Sequence, residues 1–174
     1  DAPNLNAEVE RVRSNGIDIG DPQPGGRRRH DGEQLAWRTA MLPDTRSPFF
    51  LTDDTPRDRR IREDSEITTH PNGAVGVIGI VIPVENLERA VAWHEVLLGV
   101  PSRPGSSRVG AASAEFQIGG FSLMLAEPEG KASPLSEFLA RRGPVPYQVQ
   151  IRTTRPQHVA SLEARGARIE LVQS

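Results

Sequence analysis

The sequence predicts an α+β fold, and two apolar periodicities carry that expectation. Leu5, Val9 and Val12 recur at i, i+4 and i+7, and residues 87–98 repeat a helical pattern. Around these stretches lie short apolar or alternating runs of strand length, bounded by Gly and Pro. The expected order is α-β-β-β, then β-α-β-β-β, then β-α-β.

In chain order, residues 3–15 form the first amphipathic helix, with Asn4 or Asn6 as its cap and Asn15-Gly16 as its stop. Ile17 and Ile19 alternate with polar residues and predict a short strand. Residues 20–32 are rich in Pro, Gly and charge, include Arg27-Arg28-Arg29-His30, and read as a long loop or hairpin tip. Strands are expected at 35–41 and 47–51. From Asp53 to Asn72 the chain carries four Arg, four Asp, Glu63 and Glu66, which marks a linker or surface crossing.

Residues 75–84 are almost continuously apolar and predict a strand buried on both faces. A helix follows at 87–98, capped by Asn86 and stopped by Gly99. Residues 114–118 and 121–126 flank Gly119-Gly120 as a hairpin. A short helix at 134–142, a strand at 147–152, a helix at 157–165 and a strand at 167–172 complete the pattern. The units are a first module at 1–54 (helix plus three strands), a polar linker at 55–73, a complete β-α-β-β-β module at 74–130, and a partial β-α-β module at 131–174.

Composition narrows the chemistry. With 21 Lys+Arg against 23 Asp+Glu, the chain lacks the basic excess of a general nucleic-acid or membrane-surface binder. It has no cysteine, which excludes disulfides, thiolate zinc sites and cysteine nucleophiles. Any metal must be held by carboxylates and by His30, His70, His94 or His158. No apolar run approaches membrane-spanning length, so the expected setting is cytoplasmic. His94 reads as a packing or surface residue, and the other three as surface residues.

The stretch from Ile80 to Gly99, containing Asn86-Leu87-Glu88-Arg89-Ala90-Val91-Ala92-Trp93-His94 and closing on Leu98-Gly99, resembles the opening of a βαβββ module of the vicinal oxygen chelate superfamily. Residues 147–169 repeat that opening loosely, and residues 5–16 resemble its helix. Leu35-Ala36-Trp37-Arg38 followed by Pro48-Phe49-Phe50-Leu51, with His70-Pro71-Asn72-Gly73 further on, resembles the glyoxalase-like branch. The resemblance implies βαβββ modules forming curved mixed sheets with flanking helices around a small-molecule cup. It also implies a strand before Leu5 and a hairpin after Ser174, so the end modules read as incomplete. A homo-oligomer with swapped modules would complete them.

Members of this superfamily often hold a divalent metal by a His near the start of each module's first strand and by carboxylates on later strands, an arrangement suited to Zn, Ni, Mn or Fe. The matching positions here fall near Gly79, near Pro146 or Tyr147 with Gln148 beside them, and near Met124, with Glu127 reached only by a shifted register. None supplies a good ligand, so no metal or other cofactor is expected. Trp37 or Arg38, whichever faces a pocket, and Phe116, Met124, Tyr147 and Gln148 are the expected ligand-binding residues. Arg38 could grip a carboxylate or phosphate, or simply face water. The expected function is metal-independent binding of a small molecule. The alternatives are a metal-dependent lyase, isomerase or ring-cleaving dioxygenase, and an interaction module without a ligand.

Overall fold

The computed structural model describes residues 4–44, 47–60, 69–71, 73–105, 111–130, 132–154, 162–164 and 167–173. The chain is α+β and divides into two compact units, Asp1–Asp64 and Ser65–Ser174.

In the first unit, helix α1 (Leu5–Ser14) begins at Asn4, whose side chain accepts the Ala7 N–H at 3.1 Å. It buries the predicted stripe Leu5, Val9 and Val12. Ile17 and Ile19 are buried as expected but do not form a strand. The Arg13 guanidinium donates twice to the Ile19 carbonyl, at 3.0 and 2.8 Å, taking the acceptor that a neighbouring strand would use.

Strands β1 (Gln23–Arg28), β2 (Gln34–Ala40) and β3 (Phe50–Asp53) form an antiparallel sheet in that order. The expected loop at 20–32 is therefore half strand. Gly25 lies opposite Trp37, and a Cβ there would come within 2.5 Å of the indole Nε1. Glycine thus makes room for the tryptophan across the ladder, although its composition signals a loop. The strand expected at 47–51 lies at Phe50–Asp53 instead, past Pro48, which has no N–H to donate. A single helical turn, α2 (Arg57–Arg60), follows within the stretch expected to be linker.

The second unit is a curved seven-stranded mixed sheet. Its strands are β4 (Ala74–Pro83), β5 (Arg103–Pro104), β6 (Ala111–Ile118), β7 (Phe121–Pro128), β8 (Gln148–Thr153), β9 (Leu162–Ala164) and β10 (Ala167–Gln173). Their spatial order is β5-β6-β7-β4-β8-β10-β9. β4 runs parallel to β7 and antiparallel to β8, and β10 runs parallel to β8. Helix α3 (Leu87–Leu98) starts at the Asn86 cap and stops at Gly99, whose φ of 67° suits the left-handed region. Glu127 also serves this helix, because its Oε2 accepts the Leu87 N–H at 2.7 Å. Helix α4 (Pro134–Arg142) opens with a Ser133–Ser136 capping box.

Each helix covers one side of the sheet. Val84, Phe116, Leu123 and Leu125 pack with Leu87, Ala90, Val91 and Leu98 of α3. Val81, Met124, Ala126 and Tyr147 pack with Leu135 and Phe138 of α4 on the other side. The second half of β4 is covered as expected, but Val75 and Val77 are 57% and 54% exposed. β7 pairs only from Gly79 onward, and two register shifts separate the early part of β4 from regular pairing with β8. The helix expected at 157–165 lies mostly outside the described residues, but Leu162–Ala164 is a strand paired antiparallel to β10. Among the described residues no helix is long and apolar enough to cross a membrane.

Phe116 is fully buried at the centre of the α3-facing core. Phe116→Ala is expected to cost about 3–5 kcal/mol, read as a lower denaturant midpoint for the second unit.

Candidate functional site

Side chains alternate across a strand, so the registers sort the sheet into rows. On the face that carries α4, Gln117, Ser122, Gly79, Gln150 and Glu170 lie side by side across five strands. The adjacent row runs Glu115, Met124, Val81, Gln148 and Arg168. Except for Gly79 and Arg168, these residues border, with Arg152 and Val172, a cavity of about 290 Å³, the cup of the curved sheet.

Hydrogen bonds tie the rows together. Gln148 Nε2 and Gln150 Nε2 both donate to Glu170 Oε2, at 2.7 and 3.0 Å. The Ser122 hydroxyl donates to Glu115 Oε1 on the other side of β4. Hydrogen bonds to a charged group typically contribute about 1.5–3 kcal/mol, so these pairs hold the amide side chains in defined rotamers. The cup therefore offers fixed acceptors and donors above an apolar floor of Val81 and Met124.

Gly79 sits between the two polar clusters. A Cβ at this position would come within 2.6 Å of Gln150 Oε1 and 2.8 Å of the Ser122 carbonyl oxygen. The Gln150 side chain occupies the space that a side chain at position 79 would need. Three further positions matched by the resemblance are engaged elsewhere. Met124 is a buried thioether, Glu127 caps α3, and Tyr147 packs on Phe138 with the Arg168 guanidinium 4.4 Å from its ring centroid. Among the described residues, no group of three or more His, Asp or Glu could hold a metal ion. Gly79, Met124, Glu127 and Tyr147, so placed, do not fit such a metal.

Of the residues expected to bind ligand, Met124 and Gln148 border the cup, and Tyr147 lies in the apolar cluster at its end. Phe116 is on the opposite face, beneath α3. Trp37 and Arg38 belong to the first unit, where Trp37 crosses Gly25 and Arg38 Nε meets Asp54 Oδ1 at 3.1 Å. Glu115, Ser122, Gln150 and Glu170 were not anticipated. A signal existed, because Gln148, Gln150 and Arg152 alternate with Val149 and Ile151, and Arg168 and Glu170 alternate with Ile169 and Leu171.

His94 lies behind the sheet and is not part of the cup. Its Nδ1 is 2.7 Å from the Ala90 carbonyl oxygen, and its ring packs against Trp93 and Phe116. Burial lowers its pKa below the ordinary 6.5, and the Ala90 contact opposes this only in part.

The family model for the glyoxalase-like domain matches residues 1–98, and the chain belongs to that family. Among solved structures it is similar to a hypothetical protein from Staphylococcus aureus, with a TM-score of 0.66 and 13% identity over 97% of this chain and 63% of that one. The chain thus spans less than two thirds of that protein, and the match shows a shared fold. Methylmalonyl-CoA epimerase from Mycobacterium tuberculosis aligns with a TM-score of 0.49 and 20% identity, over 63% of this chain and 95% of that one. A Streptomyces coelicolor methylmalonyl-CoA epimerase in complex with 2-nitronate-propionyl-CoA aligns with a TM-score of 0.48 and 19% identity, over 56% and 93% of the two chains. No curated protein matches.

Two outcomes are expected. Gly79→Ala must displace Gln150 or the β7 backbone, and should lower stability by about 1–3 kcal/mol. For His94, the unfolded chain binds the proton more readily than the folded one, so stability falls as pH drops through and below 6.5. In denaturation series from about pH 8 to about pH 5, His94→Gln should lose less stability than the parent chain; equal losses would refute this role.

Proposed function

We propose that this chain binds a small polar molecule in the cup of its seven-stranded sheet, without a metal. The observation that carries this reading is the paired rows around Gly79. Gln148 and Gln150 are locked on Glu170, Ser122 is locked on Glu115, and the cavity between them is about 290 Å³. Preset donors and acceptors over an apolar floor are what recognition of a small molecule requires. Because Gln150 fills the space above Gly79, the cup works through hydrogen bonds and shape.

The test pairs elemental analysis of the purified protein with a thermal-shift screen of small acids, thiol adducts and aromatic compounds. The expected result is no stoichiometric Zn, Ni, Mn or Fe, and saturable stabilisation by at least one compound, near 2.7 kcal/mol at about 100-fold excess over Kd. Glu170→Gln should weaken that compound by about tenfold. Stoichiometric metal would replace this reading with the metal-dependent enzyme, and a wholly silent screen would favour an interaction module.

The proposal extends to a cytoplasmic homo-oligomer, with modules exchanged between copies. Val75 and Val77, exposed on the early part of β4, support a second copy there. Light scattering should give a multiple of the 19.0 kDa chain mass. Val77→Asp should shift the distribution to monomer, and a monomeric parent chain at all concentrations would overturn the assembly.

A further inference from the structure

The first unit contains a second cavity, of about 380 Å³, bordered by Arg27, Arg28, Arg29, His30 and Arg60. The lining is four arginines and one histidine. Two of the guanidinium groups are held from behind. Arg29 is held by Asp31, by Glu33 Oε2 at 3.0 Å and by the Arg59 carbonyl oxygen at 2.7 Å. Arg60 donates to Asp53 Oδ2 at 2.9 Å, and its Nε lies 2.8 Å from Oδ1 as an ion-pair contact. These carboxylates orient the two arginines but do not line the cavity.

Arg27 and Arg28 differ. Both are exposed, at the end of edge strand β1, and among the described residues neither is paired with a carboxylate. The Arg28 Nε donates only to the Gly32 carbonyl oxygen, at 3.3 Å. Like charges gathered around one void repel each other, and this repulsion is uncompensated at Arg27 and Arg28. In a chain whose net charge is -2, the concentration of positive charge is local.

We propose that this cavity is an anion site for a diphosphate group, free or esterified. Guanidinium forks match the paired oxygens of phosphate, and the cavity has room for two phosphoryl groups. Arg29 and Arg60 are already held in place and lose little side-chain freedom on binding, whereas Arg27 and Arg28 close on the anion from the rim. His30 adds a ring N–H donor at the edge. The site lies wholly in the first unit and does not depend on the cup.

The test is calorimetric titration of the whole chain with inorganic pyrophosphate and with ADP, against sodium sulfate at matched ionic strength. Saturable one-to-one binding of pyrophosphate is expected, with at least a tenfold loss in the Arg27→Gln, Arg28→Gln double variant. Both residues are exposed, so the variant should keep the parent's melting temperature and leave cup binding unchanged. Binding of both probes identifies an esterified diphosphate, and binding of pyrophosphate alone identifies the free anion; either supports the site. The proposal is overturned if neither probe binds, if sulfate binds equally well, or if the double variant binds as the parent does. Tighter binding of a single-stranded oligonucleotide, strengthening with its length, would also overturn it in favour of a polyanion surface.

Discussion

The register of β4 between its two neighbours is the constraint on which the second unit depends. β7 lies parallel along one edge and β8 antiparallel along the other, so Gly79 faces Ser122 on one side and Gln150 on the other. A slip of one residue would send every side chain of β4 to the opposite face. Ile80 and Ile82 would leave the α3 core, and the two polar clusters would be separated by a bulky aliphatic. The same alternation that builds the core beneath α3 therefore holds the cup open. Two register shifts near the start of β4 confine this constraint to its second half, where the strand has neighbours on both edges.

Gly79 gives the constraint its chemical consequence. Removing a side chain from the middle of a sheet weakens it locally, and here the space is taken by the amide of Gln150. That amide is in turn fixed by Glu170, two strands away from β4. A glycine and a glutamine thus exchange volume across the ladder, much as Gly25 and Trp37 do in the first unit. Both exchanges put a large side chain over a neighbouring backbone.

Much of the fold was legible in local pattern. α1, α3, α4, the hairpin around Gly119 and the strands at 148–153 and 167–173 follow from periodicity, caps and turn glycines within a few residues of each element. What local pattern missed depends on partners distant in sequence. β1 reads as a loop because Pro24, Gly25 and Gly26 are poor strand formers, and it exists because β2 pairs with it. Ile19 has strand character, but Arg13 takes its carbonyl oxygen. Met124 and Gln148, expected through the resemblance, border the cavity. The bonds from Gln148 and Gln150 to Glu170 depend on the parallel pairing of β8 and β10, which no local signal records.

The two units carry different chemistry on the same kind of scaffold. In the cup, the carboxylates of Glu115 and Glu170 each accept from a donor on a neighbouring strand. At the end of β1, guanidinium groups outnumber the carboxylates that hold them, and the deficit falls at the rim. A saturated polar surface selects by shape, because a ligand gains only what it improves on existing hydrogen bonds. An unsaturated cationic rim selects by charge, because a ligand supplies a counter-charge that the chain lacks. The sequence is close to electroneutral as a whole, and its charge is distributed unevenly between the two surfaces.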